Sequence, residues 1–211
     1  QPISCIQSPE TGRELTFSKL KPAAKKRKIL IIGGGPAGMK AATVAASRGH
    51  GVKLIEASSK LGGQINLAEK LPGRSEFGGI TTNLANKLNR QNVEIKLNTK
   101  VSVDYVMQEA PEVVILATGG RPFEPIIEGG ETAHVVTAWQ ILEGKANVGS
   151  RVAIADWRCD WVGLGLAELL ARQGCHVRLA CNGMVPGQTV NQYVRDNWLG
   201  TLHKLNVETL T

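Results

Sequence analysis

The sequence predicts an α/β protein with parallel sheets in two similar units, and three observations predict it. First, residues 29–32, Ile-Leu-Ile-Ile, form a short apolar run closed by glycines. That is the pattern of a strand buried on both faces. Second, a helical stretch and another strand follow at once, so strand, helix and strand fit within residues 29–56. Third, the same order returns over residues 151–180 as a weak internal duplication.

Taken in order, residues 1–28 are irregular and increasingly basic, with Lys19, Lys21, Lys25, Lys26, Arg27 and Lys28 in a loose run. Such a run can serve a nucleic acid or an acidic lipid surface. No aromatic residue interrupts it, so it reads instead as a solvated linker. A helix is expected over 36–48. Pro36 sits in its first turn, where a missing N–H costs nothing. Ala37, Ala41, Ala42, Ala45 and Ala46 give it a slim packing face, and Gly49 and Gly51 end it. The next strand is 52–56. A helix over 76–90 follows, with Ile80, Leu84 and Leu88 four apart. Strands are expected at 93–97, 101–103 and 113–117, the last closed by Thr118-Gly119-Gly120.

Residues 121–130 are rich in Pro and Gly and read as a crossing loop. A short helix at 136–142 precedes a boundary at 145–150. The second unit then offers a strand at 151–155, a helix at 162–172, Gly174, and a strand at 176–180. A last helix spans 190–205, and the chain stops within a strand at 206–211, which leaves the sheet arrangement unfinished.

Composition bounds the function. Apolar residues are 42% and charged residues 20%, enough for an ordinary core. Lys and Arg (25) exceed Asp and Glu (18), leaving +7. Aromatics at 4% argue against a base-stacking surface, so no nucleic-acid partner is expected. No run approaches the ~20 apolar residues that cross a bilayer, so no membrane is expected. Gln1-Pro2-Ile3 does not start a signal peptide. Cys5, Cys159, Cys175 and Cys181 form no C-x-x-C pair, against a disulfide scaffold or a self-contained zinc site. The expectation is a cytoplasmic protein, and a first residue other than Met suggests a fragment or a processed chain.

Gly33-Gly34-Gly35-Pro36-Ala37-Gly38 fits G-x-G-x-x-G between a strand and a helix. Gly33 permits the turn off the strand. Gly35 lets main chain approach a pyrophosphate. Gly38 lets helix and strand pack closely. The helix start then offers free N–H groups to phosphate. Glu56 follows Gly33 by 23 residues, near the ~20 of a carboxylate that binds ribose hydroxyls. Ala57 lies beside it in the expected site. Leu61-Gly62-Gly63-Gln64 and Ala117-Thr118-Gly119 follow in order.

Together these segments resemble the flavoproteins with two dinucleotide-binding domains. The resemblance implies two Rossmann-like units of FAD/NAD(P)-binding type. It implies that Gly63 and Gln64 run beside a flavin, that Ala117, Thr118 and Gly119 mark the return into the FAD domain, and that Val101, after Asn98-Thr99-Lys100, faces adenine.

The second unit reads Val152-Ala153-Ile154-Ala155-Asp156-Trp157-Arg158-Cys159-Asp160-Trp161-Val162-Gly163 where a second glycine motif would stand. Bulky side chains replace glycines, and two carboxylates would repel phosphate. No acidic residue ends the next strand at Ala180-Cys181-Asn182 to hold a ribose. Arg158 or Arg178 is the available phosphate partner. The expectation is a domain that keeps its packing without NAD(P)H, with Trp157 and Trp161 filling the crevice.

Cys5-Ile6-Gln7-Ser8-Pro9 resembles a stretch in the iron–sulfur flavoenzymes of the 2,4-dienoyl-CoA reductase and trimethylamine dehydrogenase family. There a cysteine before such a turn is the last of four ligands to a [4Fe–4S] cluster. The resemblance covers essentially the whole chain. It implies an α/β barrel with FMN and the substrate site lying outside this chain, and a cluster to which Cys5 supplies one ligand. It implies a segment 1–28 that links the cluster onward, an incomplete FAD- or ADP-binding domain at 29–145, and a second, degraded domain at 146–211.

Gly62–Ala68 looks like the branch that binds FAD, whereas the missing second motif looks like the amine branch, which holds ADP and passes electrons to an electron-transfer flavoprotein. Residues 155–161 also look like members that demethylate dimethylglycine or N-methylproline. The expected function is thus the C-terminal part of a methylated-amine dehydrogenase. The alternatives are an NAD(P)H-dependent enoate reductase and a non-catalytic nucleotide-binding module. No catalytic residue is expected here, since His50, His134, His176 and His203 are scattered. The fragment alone is expected to be inactive, and the sequence fixes no oligomeric state.

Overall fold

The computed structural model describes residues 5–17, 19–131 and 133–211. In chain order it contains α1 (Glu14–Phe17), β1 (Lys28–Ile32), α2 (Pro36–Ser47), β2 (Gly51–Ile55), α3 (Ile65–Ala68), a 3-10 turn (Ser75–Phe77), α4 (Gly78–Arg90), β3 (Glu94–Lys96), α5 (Val103–Glu109) and β4 (Val113–Leu116). Then come α6 (Ala138–Glu143), β5 (Arg151–Asp156), α7 (Trp161–Arg172), β6 (His176–Cys181), α8 (Gln192–Lys204) and β7 (Glu208–Leu210). The α/β class with parallel sheets is as expected, and every recorded strand pair is parallel. The chain divides into two compact units, residues 1–66 with 76–121, and residues 67–75 with 122–211.

In the first unit the sheet order is β3-β2-β1-β4. β1 is central, paired with β2 from Lys28↔Gly51 to Ile32↔Ile55 and with β4 from Ile29↔Val113 to Ile32↔Leu116. This explains its near-continuous apolar run. One face carries Ile29, Ile31 and Leu54, which pack with Met39, Ala42 and Ala45 of α2 and Ile80, Leu84 and Leu88 of α4. The alanines of α2 let the helix lie close to the sheet. On the other face, Lys53 of β2 bridges Glu94 of β3 at 3.0 Å and Glu109 of α5 at 2.6 Å. Those carboxylates, Glu109 first, raise the Lys53 pKa.

The second unit has order β5-β6-β7, in register from Arg151↔His176 to Asp156↔Cys181 and from Arg178↔Glu208 to Ala180↔Leu210. Its core joins Ile154, Val177 and Leu179 to Leu164, Ala167 and Leu170 of α7 and Trp198 and Leu202 of α8. Each such leucine contributes roughly 1.5–3 kcal/mol on burial. Among the described residues no helix is long and apolar enough to cross a membrane.

Residues 101–103 depart from expectation. They do not form a strand. Ser102 accepts the Tyr105 amide at 3.2 Å and caps α5 instead. The β-branched Val101 and Val103 suggested a strand, but a local cap took precedence. The short helices α1 and α3 carry no legible signal in the sequence, because single turns leave too little periodicity to read.

Candidate nucleotide-binding site

The predicted glycine turn lies at the C-terminal end of β1, the usual ligand edge of an open parallel sheet. Each glycine there has a separate physical reason. Gly33 has φ +112° and donates its amide to the Ile55 carbonyl at 2.8 Å. A Cβ on it would lie 2.2 Å from the Ala117 carbonyl oxygen. A Cβ on Gly38 would lie 1.9 Å from the Gly33 carbonyl oxygen, so β1 and α2 touch main chain to main chain. Gly35 is different. It caps α2 in extended conformation with no side-chain bond, and a Cβ on it would meet only the Gly63 Cα at 3.9 Å. Space lies open over Gly35, beside the first turn of a twelve-residue helix. A nucleotide diphosphate fits such a cradle, because the opening is one that a side chain would fill.

Glu56 follows β2 and sits beside the turn. Its Oε2 accepts the Gly34 amide at 2.5 Å, and its Oε1 accepts the amide and hydroxyl of Ser58, each at 2.7 Å. Burial pushes this carboxyl up. The amides of Ser58 and Gly34, the Ser58 hydroxyl and the Ala57 amide outweigh it and hold the group below the usual 4.5. Gly62 donates to the Gly34 carbonyl at 2.9 Å, which draws the Leu61–Gln64 loop to the glycine turn. Gly63, at φ +52°, approaches Gly35 closely, and Gln64 donates to the Gly120 carbonyl at 3.3 Å.

Ala117 follows β4 and donates to the Ile32 carbonyl at 2.8 Å. Val101 is half-buried between β3 and α5. Thr99, shortly before it, donates to the Glu56 carbonyl at 3.0 Å. Thus one sheet edge gathers Gly33, Gly35, Gly38, Glu56, Gly63, Gln64 and Ala117. Ala37, Ala57, Thr118 and Gly119 are exposed, and Pro36 is half-buried as the first residue of α2.

The second turn, after β5, is built otherwise. Asp156 is buried. Its Oδ1 accepts the amides of Arg158 at 3.2 Å and Cys159 at 3.0 Å, and its Oδ2 has no hydrogen-bond partner. Burial pushes its carboxyl above the usual range, against the pull of those amides. Asp160 caps α7 by accepting the Val162 amide at 2.9 Å. Cys159 is buried at φ +48°, and burial raises its thiol.

The expectation that Trp157 fills the crevice is corrected, since its side chain is 66% exposed. Trp161, the first residue of α7, packs against the core instead, with the Arg74 guanidinium 5.6 Å from its ring. The small buried pair Asp156 and Cys159 holds the place expected of indoles. Arg158 pairs with Asp160 at 3.0 Å and Arg178 with Glu208 at 2.8 Å, so both proposed phosphate partners are engaged. In the sequence Asp156 reads only as a source of repulsion. An Asp at a strand end, with main-chain amides two and three residues on, is the signal of a side-chain-closed turn.

Cys5 is exposed, and Gln7 two residues on bonds Asn83 of α4 at 2.8 Å. Among the described residues no group of three or more His, Cys, Asp or Glu could hold a metal ion. A four-thiolate cluster therefore does not fit the residues of this chain alone.

The family described as pyridine nucleotide-disulphide oxidoreductase matches residues 27–211. The chain is 36% identical to an N,N-dimethylglycine/sarcosine dehydrogenase of Chromohalobacter salexigens, over 97% of this chain and 31% of that protein. It is 39% identical to a protein of Rhizobium meliloti named "probable N-methylproline demethylase", over 83% of this chain and 26% of that protein. Among solved structures, a 2-naphthoyl-CoA reductase with 2-naphthoyl-CoA superimposes with TM-score 0.91 at 33% identity, covering 99% of this chain and 31% of the other. The chain thus spans about a third of the length of the relatives it matches.

Proposed function

The chain belongs to the pyridine nucleotide-disulphide oxidoreductase family, and on that premise we propose that it is the C-terminal nucleotide-binding part of a flavoenzyme that dehydrogenates a methylated amine. The observation that carries this reading is the contrast between the two turns. One is open over Gly35, and the other is closed by Asp156. The first turn takes FAD or ADP, and NAD(P)H does not bind at the second. The similarity to the dimethylglycine/sarcosine dehydrogenase supports the amine as substrate class.

The open turn and the resemblance to two-domain flavoproteins support the following roles. Gly33 turns the chain off β1, and Gly38 brings α2 against it. Gly35, Pro36 and Ala37 set main chain beside the diphosphate, with the α2 N-terminus offering N–H groups and partial positive charge. Glu56 accepts from ribose hydroxyls. Val101 faces the adenine. Gly63, Gln64, Ala117, Thr118 and Gly119 line the way to the far end of the cofactor. FAD bound there supplies a ring that accepts and releases electrons, and ADP supplies binding alone. No residue of this chain acts as acid or base. Substrate, FMN and a [4Fe–4S] cluster belong to a preceding barrel and its connection, with Cys5 as one cluster ligand. Electrons leave to an electron-transfer flavoprotein, and the protein works in the cytoplasm.

The test is twofold. The purified chain, heated, is expected to release ADP, AMP or FAD in one equivalent. The full-length protein is expected to release formaldehyde from dimethylglycine or N-methylproline with an artificial acceptor, and to leave NADPH unoxidised. Rapid NADPH oxidation would instead support the second reading, an enoate reductase, which the resemblance to 2-naphthoyl-CoA reductase favours. A chain that binds only ADP within an enzyme indifferent to it would reduce this region to a structural module.

A further inference from the structure

In both units a glycine stands three residues past the helix cap, Gly38 after Gly35 and Gly163 after Asp160. What each glycine makes room for differs. Gly38 makes room for the carbonyl oxygen of Gly33, 1.9 Å from where its Cβ would be. Gly163 makes room for a side chain, since its Cβ would lie 2.2 Å from Oδ2 of Asp156. The same carboxyl takes the amides of Arg158 and Cys159 through Oδ1. Asp160 takes the Val162 amide and lies 3.0 Å from Arg158 Nε. The turn amides of Arg158 and Cys159, and the Val162 amide in the first turn of α7, are therefore engaged by two side chains of the turn itself. The first turn has no such cap on its helix.

We propose that Asp156 and Asp160 are specificity-determining residues, built-in acceptors that occupy the amides of the second turn and deny it a nucleoside diphosphate. The inference rests on the reading of the first turn as the nucleotide site, and deepens it. A diphosphate entering the second turn would have to displace both carboxyls. Asp156 is held from two sides, by two amides and by the fit against Gly163, so it is the harder to move. Asp160 controls the outer amide at Val162. The loss of nucleotide binding in the second unit is thus an occupancy of donors, and the retained Gly163 serves that occupancy.

The experiment is an amide-resolved NMR titration of the isotope-labelled chain with ADP and, separately, with inorganic pyrophosphate. Cys159 and Val162 report the second turn, and Ala37 and Gly38 the first. In the wild-type chain Cys159 and Val162 are expected to stay unshifted. Asp160→Gly places at this cap the residue found at position 35, a change that costs a helix little. In that variant Val162 is expected to shift, with half-saturation at least tenfold below any wild-type response. Adding Asp156→Ser is expected to extend the shift to Cys159. Equal shifts in wild type and variant overturn the proposal, as does a Val162 that stays insensitive in Asp160→Gly. Should Ala37 and Gly38 alone fail to respond, the reading of the first turn falls, while the second-turn comparison stands on its own signals.

Discussion

The indole Nε1 of Trp198 donates to Oε2 of Glu168 at 2.7 Å inside the second unit, both residues being buried. Oε1 of the same carboxylate accepts from Arg172 at 2.8 Å, one helical turn on. Glu168 thus ties α7 to α8 beside the apolar core of the second unit. Glu168→Ala leaves the Trp198 N–H buried without an acceptor. The expected loss is about 1–3 kcal/mol, read by urea denaturation. An unchanged midpoint would show that the indole finds another partner.

The two glycines at the start of α2 predict opposite phenotypes. Gly38→Ala drives a methyl into the Gly33 carbonyl, so the variant is expected to be insoluble or to lose more than about 3 kcal/mol. Gly35→Ala adds its methyl to open space beside Gly63. Stability is expected to fall by no more than about 1 kcal/mol, and ADP affinity by at least about tenfold. Calorimetric titration and a thermal melt of the same samples check both.

Glu56 gives a pH dependence of definite sign. Its pKa is lower in the folded chain than the usual 4.5. Its contribution is complete above that usual value and fades as pH falls through the lower native one. Glu56→Gln cannot accept from both Gly34 and Ser58. The expected cost is about 1–3 kcal/mol at pH 7, narrowing towards wild type in acid. Melts between neutral pH and acid would reveal a constant gap if the carboxylate had no such role.

Asp156 has the opposite sign. Burial raises its pKa above the usual 3.8, with Asp160 adding to the effect. The folded chain therefore holds this proton more tightly than the unfolded one, and stability declines as pH rises from 3.8 through the native value. Asp156→Asn keeps the shape and carries no charge. Its Tm relative to wild type is expected to rise by roughly 2–4 °C from acid to neutral pH. A difference that shrinks with pH would contradict it.

Much of this could be read from the residues. Runs such as 29–32 announced buried parallel strands, and the leucine spacing of 80, 84 and 88 announced α4, because both obey one strong period. Gly33, Gly38 and Glu56 were legible because strand, turn and helix occur together around them. Residues 101–103 were not, since β-branched side chains and a serine cap pull the same short segment in two directions. The inside of the second turn was also illegible. Aromatic size suggested that Trp157 and Trp161 filled it, yet the decisive contacts are main-chain amides closing on Asp156, which hydrophobicity does not encode.

The contact between Gly33 and Ala117 bears on how the protein comes into being. The glycine turn follows β1, but the wall against which Gly33 rests follows β4, translated about 80 residues later. Until β4 has paired with β1 the cradle lacks one side. A nascent chain halted before Val113 would carry the whole glycine signature without the wall that shapes it, so the turn takes its final form only when the sheet is complete.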